Sequence, residues 1–422
     1  MAFDGDEVRA DDDWIASVGA GRIFTAFSFA LAVGLIVLVG VRWYAYQWDF
    51  HMFYGATRDF AAGIDPYRGS GLSFYHPPLM LYLYGLFTVM PLAAALTLWY
   101  LLKVVALAGL IWIWHTNFVR LRWQAPTILF FVFAYQAAIY SDLVAGNVSI
   151  FEELLLWLAF ASLLRARYLV FAVCVIAVAQ VKLTPIFFAA LLLLACDRPQ
   201  WRWFVATVAG FAAVFSCNVW LQPRLFRSFW SVSAGLDERG DNTSLLALIR
   251  DVSEHFLGGS FTVVSRFDEL LFVTVVLGIL LITGWRILGY RRFHASVDQR
   301  LLICLSCFVF ALISPRLKGY THILLLAPTL YFLRVVDWRQ HVPAAAAVLL
   351  VLVLFPAPGS SLPFRYAFQI LNSYLSLFAV GGFWLGYLAL IDRRGHAPVV
   401  AEKSSTLPPG DLAIGDKSRS IG

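Results

Sequence analysis

The sequence predicts an all-α, polytopic membrane helical bundle of about 11–12 transmembrane helices, with short interfacial helices in the outer loops. Three observations predict it. Of the 422 residues, 60% are hydrophobic and 14% charged, with a mean hydropathy of +0.75, outside the range of soluble globular domains. Apolar runs that approach or exceed the roughly 20 residues needed to cross a hydrocarbon core follow one another along most of the chain. Strand-like alternation and any recurring sequence period are absent, which leaves helices as the spanning solution and argues against a repeat architecture.

Residues 1–20 are polar, and Asp4, Asp6, Glu7, Asp11, Asp12 and Asp13 stand where a signal peptide would be basic. They are expected to form a flexible cytoplasmic tail. The transmembrane domain is then 21–391, and 392–422, rich in Ser, Pro, Gly and charge, reads as a disordered cytoplasmic tail. A first span from Ile23 to Tyr46 carries Asp49 to the far side of the membrane. The outer loop 47–77 follows. A helix from Phe50 to Ala62 would put Phe50, Phe53, Tyr54, Phe60 and Ala61 on one face and His51 and Arg58 on the other, so it lies along the membrane surface. Gly63, Asp65 and Pro66 end it, and Pro77 and Pro78 suit the first turn of the next membrane helix.

Pro78 to Met90 and Leu92 to Trp114 read as two helices parted by Pro91, the first short for a crossing. Further apolar runs are Ala125 to Tyr140, Ile150 to Leu164, Tyr168 to Ala195 and Phe204 to Leu221. A second long polar loop, 222–265, precedes Leu270 to Leu288, Leu301 to Ile313, Tyr320 to Val336, Pro343 to Phe355 and Ile370 to Ile391. A loop of that length usually has a function. Arg286, Arg291, Arg292, Arg334, Arg339, Arg393 and Arg394 assign the inner side, which places loops 222–265, 315–319 and 357–368 outside with Asp49. Simple alternation also sends Arg120, Arg122, Arg165 and Arg167 outside. Half-length re-entrant helices or different helix boundaries would remove that conflict.

The net charge of +6 gathers at the ends of apolar runs, the pattern of topology and not of nucleic-acid binding. Cys174, Cys196, Cys217, Cys304 and Cys307 lie in or beside apolar segments, where packing is expected in place of disulfides. Cys304 and Cys307 alone are too few ligands for structural zinc. No cluster of ligands asks for a metal.

Several polar groups need a reason. Lys182 interrupts an apolar run beside Pro185, and a buried lysine there costs several kcal/mol unless it is paired or reaches water or an anion. Arg316, Lys318 and His322 crowd a tight turn on the outer side, where basic residues are disfavoured. Arg316 could fork onto a phosphate while His322 donates from the next helix. Asp142, Glu152 and Glu153 flank Gly146-Asn147-Val148-Ser149 and either line a polar cavity or sit at a water interface. Asp49, close to His51, Tyr54, Tyr75 and His76 in a loop held against lipid, has the makings of a general base.

These residues resemble a known family, the GT-C membrane glycosyltransferases and within them glycosyltransferase family 87. The matching pieces are Trp48-Asp49-Phe50-His51-Met52-Phe53-Tyr54, Gly63-Ile64-Asp65-Pro66-Tyr67 and Phe74-Tyr75-His76-Pro77-Pro78. Gly146-Asn147-Val148-Ser149, Lys182-Leu183-Thr184-Pro185, Asp241-Asn242-Thr243-Ser244-Leu245 and Ser314-Pro315 then follow in the family's order. The chain departs from the family's frequent Gln-Val-Asn after Gly146 and from its Gln-Ser at Thr243-Ser244. The resemblance implies inverting transfer of a sugar, mannose in many members, from a polyprenyl-phosphate donor to a lipid or glycan acceptor on the outer face of the bacterial inner membrane. Asp49 would be the base, and Lys182, Arg316, Lys318 and His322 would receive the donor phosphate. His51, Tyr54, Tyr75, His76, Asn147 and Asn242 would bind substrate. No cofactor beyond the donor, no metal and no nucleic acid is implied, and a monomer among membrane lipids is expected. A lipid transporter or flippase would also use a mid-membrane lysine and broken helices, although its usual internal repeat is missing. A noncatalytic scaffold would leave Lys182 unexplained.

Overall fold

The computed structural model describes residues 6–42, 46–68, 74–234, 242–257, 266–293, 298–336 and 373–396. The expected run Pro343 to Phe355, the loop 357–368, Asp241 and most of the C-terminal tail lie outside them. The described chain is helical, without strands, and is a multi-pass membrane bundle. Among the described residues, six helices are long and apolar enough to cross a membrane, and four shorter apolar segments accompany them.

Helix α1 (Asp6–Val41) starts before the expected Ile23, and its apolar part from Gly21 packs on its neighbours, with Tyr100 donating to the Ile36 carbonyl at 2.5 Å. Helix α2 (Trp48–Ala61) is the amphipathic surface helix. Phe50, Phe53 and Tyr54 are buried, while Ala61 is exposed and does not join that face. Helix α3 (Leu79–Thr88) has 10 residues, about 15 Å of helix, half a hydrocarbon core. Phe50 meets Phe87 at 5.5 Å and Phe53 stacks on Tyr84 at 4.5 Å, so α2 and α3 run antiparallel. The Tyr54 hydroxyl donates to the Met90 carbonyl at 2.9 Å, which brings the Pro91 corner back to the level of α2. The expected crossing at Pro78 to Met90 is therefore corrected to one arm of a surface hairpin.

That correction turns over the next four helices, and the break at Lys182 restores the expected sense of those that follow. Helix α4 (Leu92–Asn117) leaves the α2 side and ends on the opposite one, and α5 (Ala125–Ala145) returns. Helices α6 (Ser149–Leu163) and α7 (Tyr168–Val181) cross and recross. The expected continuous run to Ala195 breaks at Lys182, then resumes as a 3-10 segment (Thr184–Ala190) and α8 (Leu191–Leu194). Helix α9 (Trp201–Leu221) comes back to the α2 side, where Gln222 donates to the Tyr82 hydroxyl at 2.8 Å and Asn218 accepts from the Leu79 amide at 2.8 Å. Helices α10 (Pro223–Ala234) and α11 (Leu245–Leu257) remain there. The bundle closes with α12 (Arg266–Phe293), α13 (Gln299–Ile313), a 3-10 turn (Gly319–His322), α14 (Ile323–Val335) and α15 (Leu375–His396).

Contacts among the other helix ends agree. Arg165 donates to Asn117 at 2.8 Å, Arg334 to the Val119 and Arg120 carbonyls at 3.3 Å, and Arg291 to the Leu193 and Leu194 carbonyls at 2.8 Å. Arg120, Arg122, Arg165 and Arg167 thus share one face with Arg291 and Arg334, and the sequence's charge conflict disappears.

Candidate active site

The opposite face gathers five segments: the start of α2, the α5–α6 corner, the break after α7, Asn242–Ser244 and the turn from Ser314 to His322. Two glycine and proline devices set them. Gly146 ends α5 with φ +70, and a Cβ there would lie 2.7 Å from Gln47 Cβ, so only glycine lets the corner close on the residue that precedes α2. Gln47 seals the contact by donating its amide to the Val144 carbonyl at 2.6 Å. Pro185 cannot donate to the Val181 carbonyl four residues back, and His76 Nδ1 lies 3.2 Å from that oxygen in its place. Lys182 is thereby left in extended backbone (φ −131, ψ 131) at the mouth of α7.

Asp49 lies in the first turn of α2, half-buried. Asn147 Nδ2 donates to Asp49 Oδ2 at 2.6 Å, and Asn147 Oδ1 accepts from the Ser149 amide at 3.1 Å and hydroxyl at 2.8 Å. Ser149 Oγ in turn accepts from Lys182 Nζ at 3.2 Å, and Lys182 pairs with Glu152 at 2.5 Å. Every donor in this chain points from the ammonium toward Asp49, so each link is polarised in the same sense. Burial raises the Asp49 carboxyl above the ordinary carboxylate range. The Asn147 bond and the charges of Lys318, Lys103 and Lys182 oppose that rise without cancelling it.

The cations stand on tyrosines. Arg316 lies over the Tyr75 ring at 5.2 Å and Lys182 over the Tyr320 ring at 5.8 Å. Lys318, half-buried, forms an isolated bridge with Asn242. Asn242 Oδ1 accepts from the Leu317 amide at 2.9 Å and Ser244 Oγ donates to the Pro315 carbonyl at 2.7 Å, so this segment latches the basic turn.

The sequence-predicted residues divide by what holds them. Asp49, Asn147, Lys182, Arg316, Lys318 and Tyr75 surround one polar region. His51 points from the partly exposed side of α2, its imidazole pKa lowered by burial. Tyr54 is committed to the Met90 carbonyl, and Asn242 to the turn it clips. His76 is buried against Phe53 at 5.1 Å, and burial lowers its imidazole to about 4. His322 stacks on Tyr135 at 5.4 Å with Nδ1 3.1 Å from the Gly319 carbonyl, and burial lowers it to about 4 as well. His322 thus lies beneath the turn that carries Arg316 and Lys318, where burial disfavours its charged form.

Sequence reasoning missed Tyr320, Ser149 and the partnership of Glu152 with Lys182. It also passed over Lys103, a lone lysine inside an apolar run. Lys103 pairs with Asp142 at 2.7 Å, both side chains fully buried, at the foot of the Gly146 corner. The test applied to Lys182 would have singled it out.

A carboxylate held in a polar hydrogen-bonded chain that ends in lysine, and bordered by further cations, makes this region the candidate site. A sequence model of glycosyltransferase family 87 matches residues 74–315, more than half of the chain. The protein belongs to glycosyltransferase family 87. The match takes in Tyr75, His76, Asn147, Lys182 and Asn242, whereas Asp49 precedes it and Arg316, Lys318 and His322 follow it. No curated protein matches the chain.

Proposed function

We propose that this glycosyltransferase moves a sugar, mannose by the family resemblance, from a polyprenyl-phosphate donor to the hydroxyl of a lipid-linked or glycan acceptor, with inversion. The observation that carries the reading is the directed chain from Lys182 through Ser149 and Asn147 to Asp49. Asn147 engages Asp49 Oδ2, so Oδ1 is the oxygen offered to the acceptor. As Asp49 takes the hydroxyl proton, the acceptor oxygen bonds to the anomeric carbon. The bond from that carbon to the phosphate oxygen breaks, and its electron pair leaves with the polyprenyl phosphate. Lys182, Arg316 and Lys318 stabilise the charge that develops on that phosphate, and a phosphate leaving group needs no separate acid.

In this reading Tyr75 sets the Arg316 guanidinium, Asn242 sets the turn that carries Lys318, and His51 lines the acceptor side. His76 and Tyr54 fix the walls. The reaction runs without a metal or other cofactor and the enzyme acts as a monomer among membrane lipids, without nucleic acid. The positive-inside rule makes the arginine-bearing face cytoplasmic, which turns Asp49 to the exterior of a bacterial inner membrane.

The test is turnover of a polyprenyl-phosphate sugar by the full chain in nanodiscs, with the anomeric configuration of the product read by NMR. An inverted product formed equally well in chelator supports the proposal. A retained configuration, or dependence on added divalent cation, contradicts it. Donor crossing a proteoliposome without sugar transfer would instead favour a carrier.

A further inference from the structure

A second basic cluster lies on the same face, away from Asp49. Between the loop after α2 and helix α10 is a cleft of about 460 Å³ lined by Asp65, Arg68, Arg224, Arg227, Ser228 and Ser231. Helix α2 has 14 residues, so its two ends, with Asp49 in the first turn and Asp65 beyond the last, stand about 20 Å apart. Among the described residues, three guanidinium groups line the cleft against one carboxylate, and that carboxylate is already engaged. Asp65 Oδ1 accepts from the Tyr67 amide at 3.0 Å, Oδ2 accepts from the Ser228 hydroxyl at 2.7 Å, and Arg68 Nε stands 3.6 Å from Oδ2. Asp65 therefore fastens the two walls together and leaves a surplus of positive charge between them.

The depth of the cleft is set by its neighbours. Helix α10 begins directly after α9 reaches this face, and Trp220, Leu221 and Trp230 are 86%, 63% and 56% exposed, the exposure of side chains that meet lipid or its interface. The inner side of α10 is fixed by Phe226 against Phe215 at 5.6 Å and Phe229 against Tyr67 at 6.0 Å. Arg227 Nε donates to the Pro223 carbonyl at 3.3 Å, which steers its side chain along the first turn of α10. Arg58, Arg250 and Arg316 also stand on this face, and what sets Arg68, Arg224 and Arg227 apart is that they line one cleft. A planar fork suits a phosphate better than any neutral headgroup.

We propose that this cleft binds the phosphate of an anionic lipid headgroup, at a site separate from the reaction centre and independent of the role of Asp49. The test uses the full chain in phosphatidylcholine nanodiscs with and without phosphatidylglycerol, binding being read by native mass spectrometry and thermal shift. Arg224 and Arg227 are exposed, so Arg224→Gln/Arg227→Gln is expected to fold as the parent does. At about fivefold per guanidinium, the double variant should bind phosphatidylglycerol about thirtyfold more weakly, while Arg167→Gln on the opposite face leaves binding unchanged. Undiminished binding by the double variant, or an equal loss in Arg167→Gln, would overturn the site. Stabilisation by inorganic phosphate with no response to phosphatidylglycerol would overturn its assignment to lipid.

Discussion

Asp49 costs the folded protein stability. Its carboxyl is raised by burial above the ordinary aspartate value of 3.8, so between that value and its folded pKa the native state binds more protons than the unfolded chain. Stability contributed by the protonated acid is present at low pH and lost as pH rises through the folded pKa. Asp49→Asn removes that cost. It should therefore raise Tm at neutral pH, with the difference closing in acid, and a lowered Tm at neutral pH would contradict the burial argument. Asn147 acts in the opposite sense, because its bond favours the carboxylate. Asn147→Leu should move the acid limb of kcat/KM to higher pH, and an unmoved limb would separate Asn147 from the base. Lys103 and Asp142 answer a different question. Asp142→Ala leaves an ammonium buried without its partner, which costs about 3–5 kcal/mol in such pairs. Thermal unfolding in detergent should show that loss, since both side chains are fully buried.

At the scale of elements, the site is made by interrupted helices. Pro185 opens α7 and turns Lys182 out, and Gly146 lets the α5–α6 corner meet Gln47. Restoring the missing N–H by Pro185→Ala would let the Val181 carbonyl return to an intrahelical bond and compete with His76. The expected result is a loss of turnover with helix content unchanged in circular dichroism. Full turnover would show that the break is dispensable. These interruptions were legible as Gly, Pro and isolated polar residues, because such residues carry local backbone preferences. The partnerships were not. Glu152 and Lys182 meet through the packing of α6 on α7, and a single sequence records neither that packing nor the depth of either side chain.

At the scale of the molecule, the apolar runs announced a helical membrane bundle, and most helix boundaries fall within a few residues of the expected ones. What failed was the path. Hydropathy registers that Leu79–Thr88 is apolar, but not whether it crosses the bilayer or lies along its surface, and that one choice inverts α4 to α7. With α3 in the surface hairpin, the arginines of the 118–124 and 164–167 connectors join those of α12 and α14. Single cysteines introduced at Arg68 and Arg167 should therefore label from opposite sides of sealed vesicles. Labelling from the same side would reject the path.

The central claim is that Asp49 accepts the acceptor's proton. Its most direct measurement is single-turnover sugar transfer by Asp49→Asn beside donor binding under the same conditions. The account predicts transfer reduced by about 10²–10⁴, the usual worth of a positioned base, with donor affinity within a few fold of the parent. Transfer at the parental rate would contradict it.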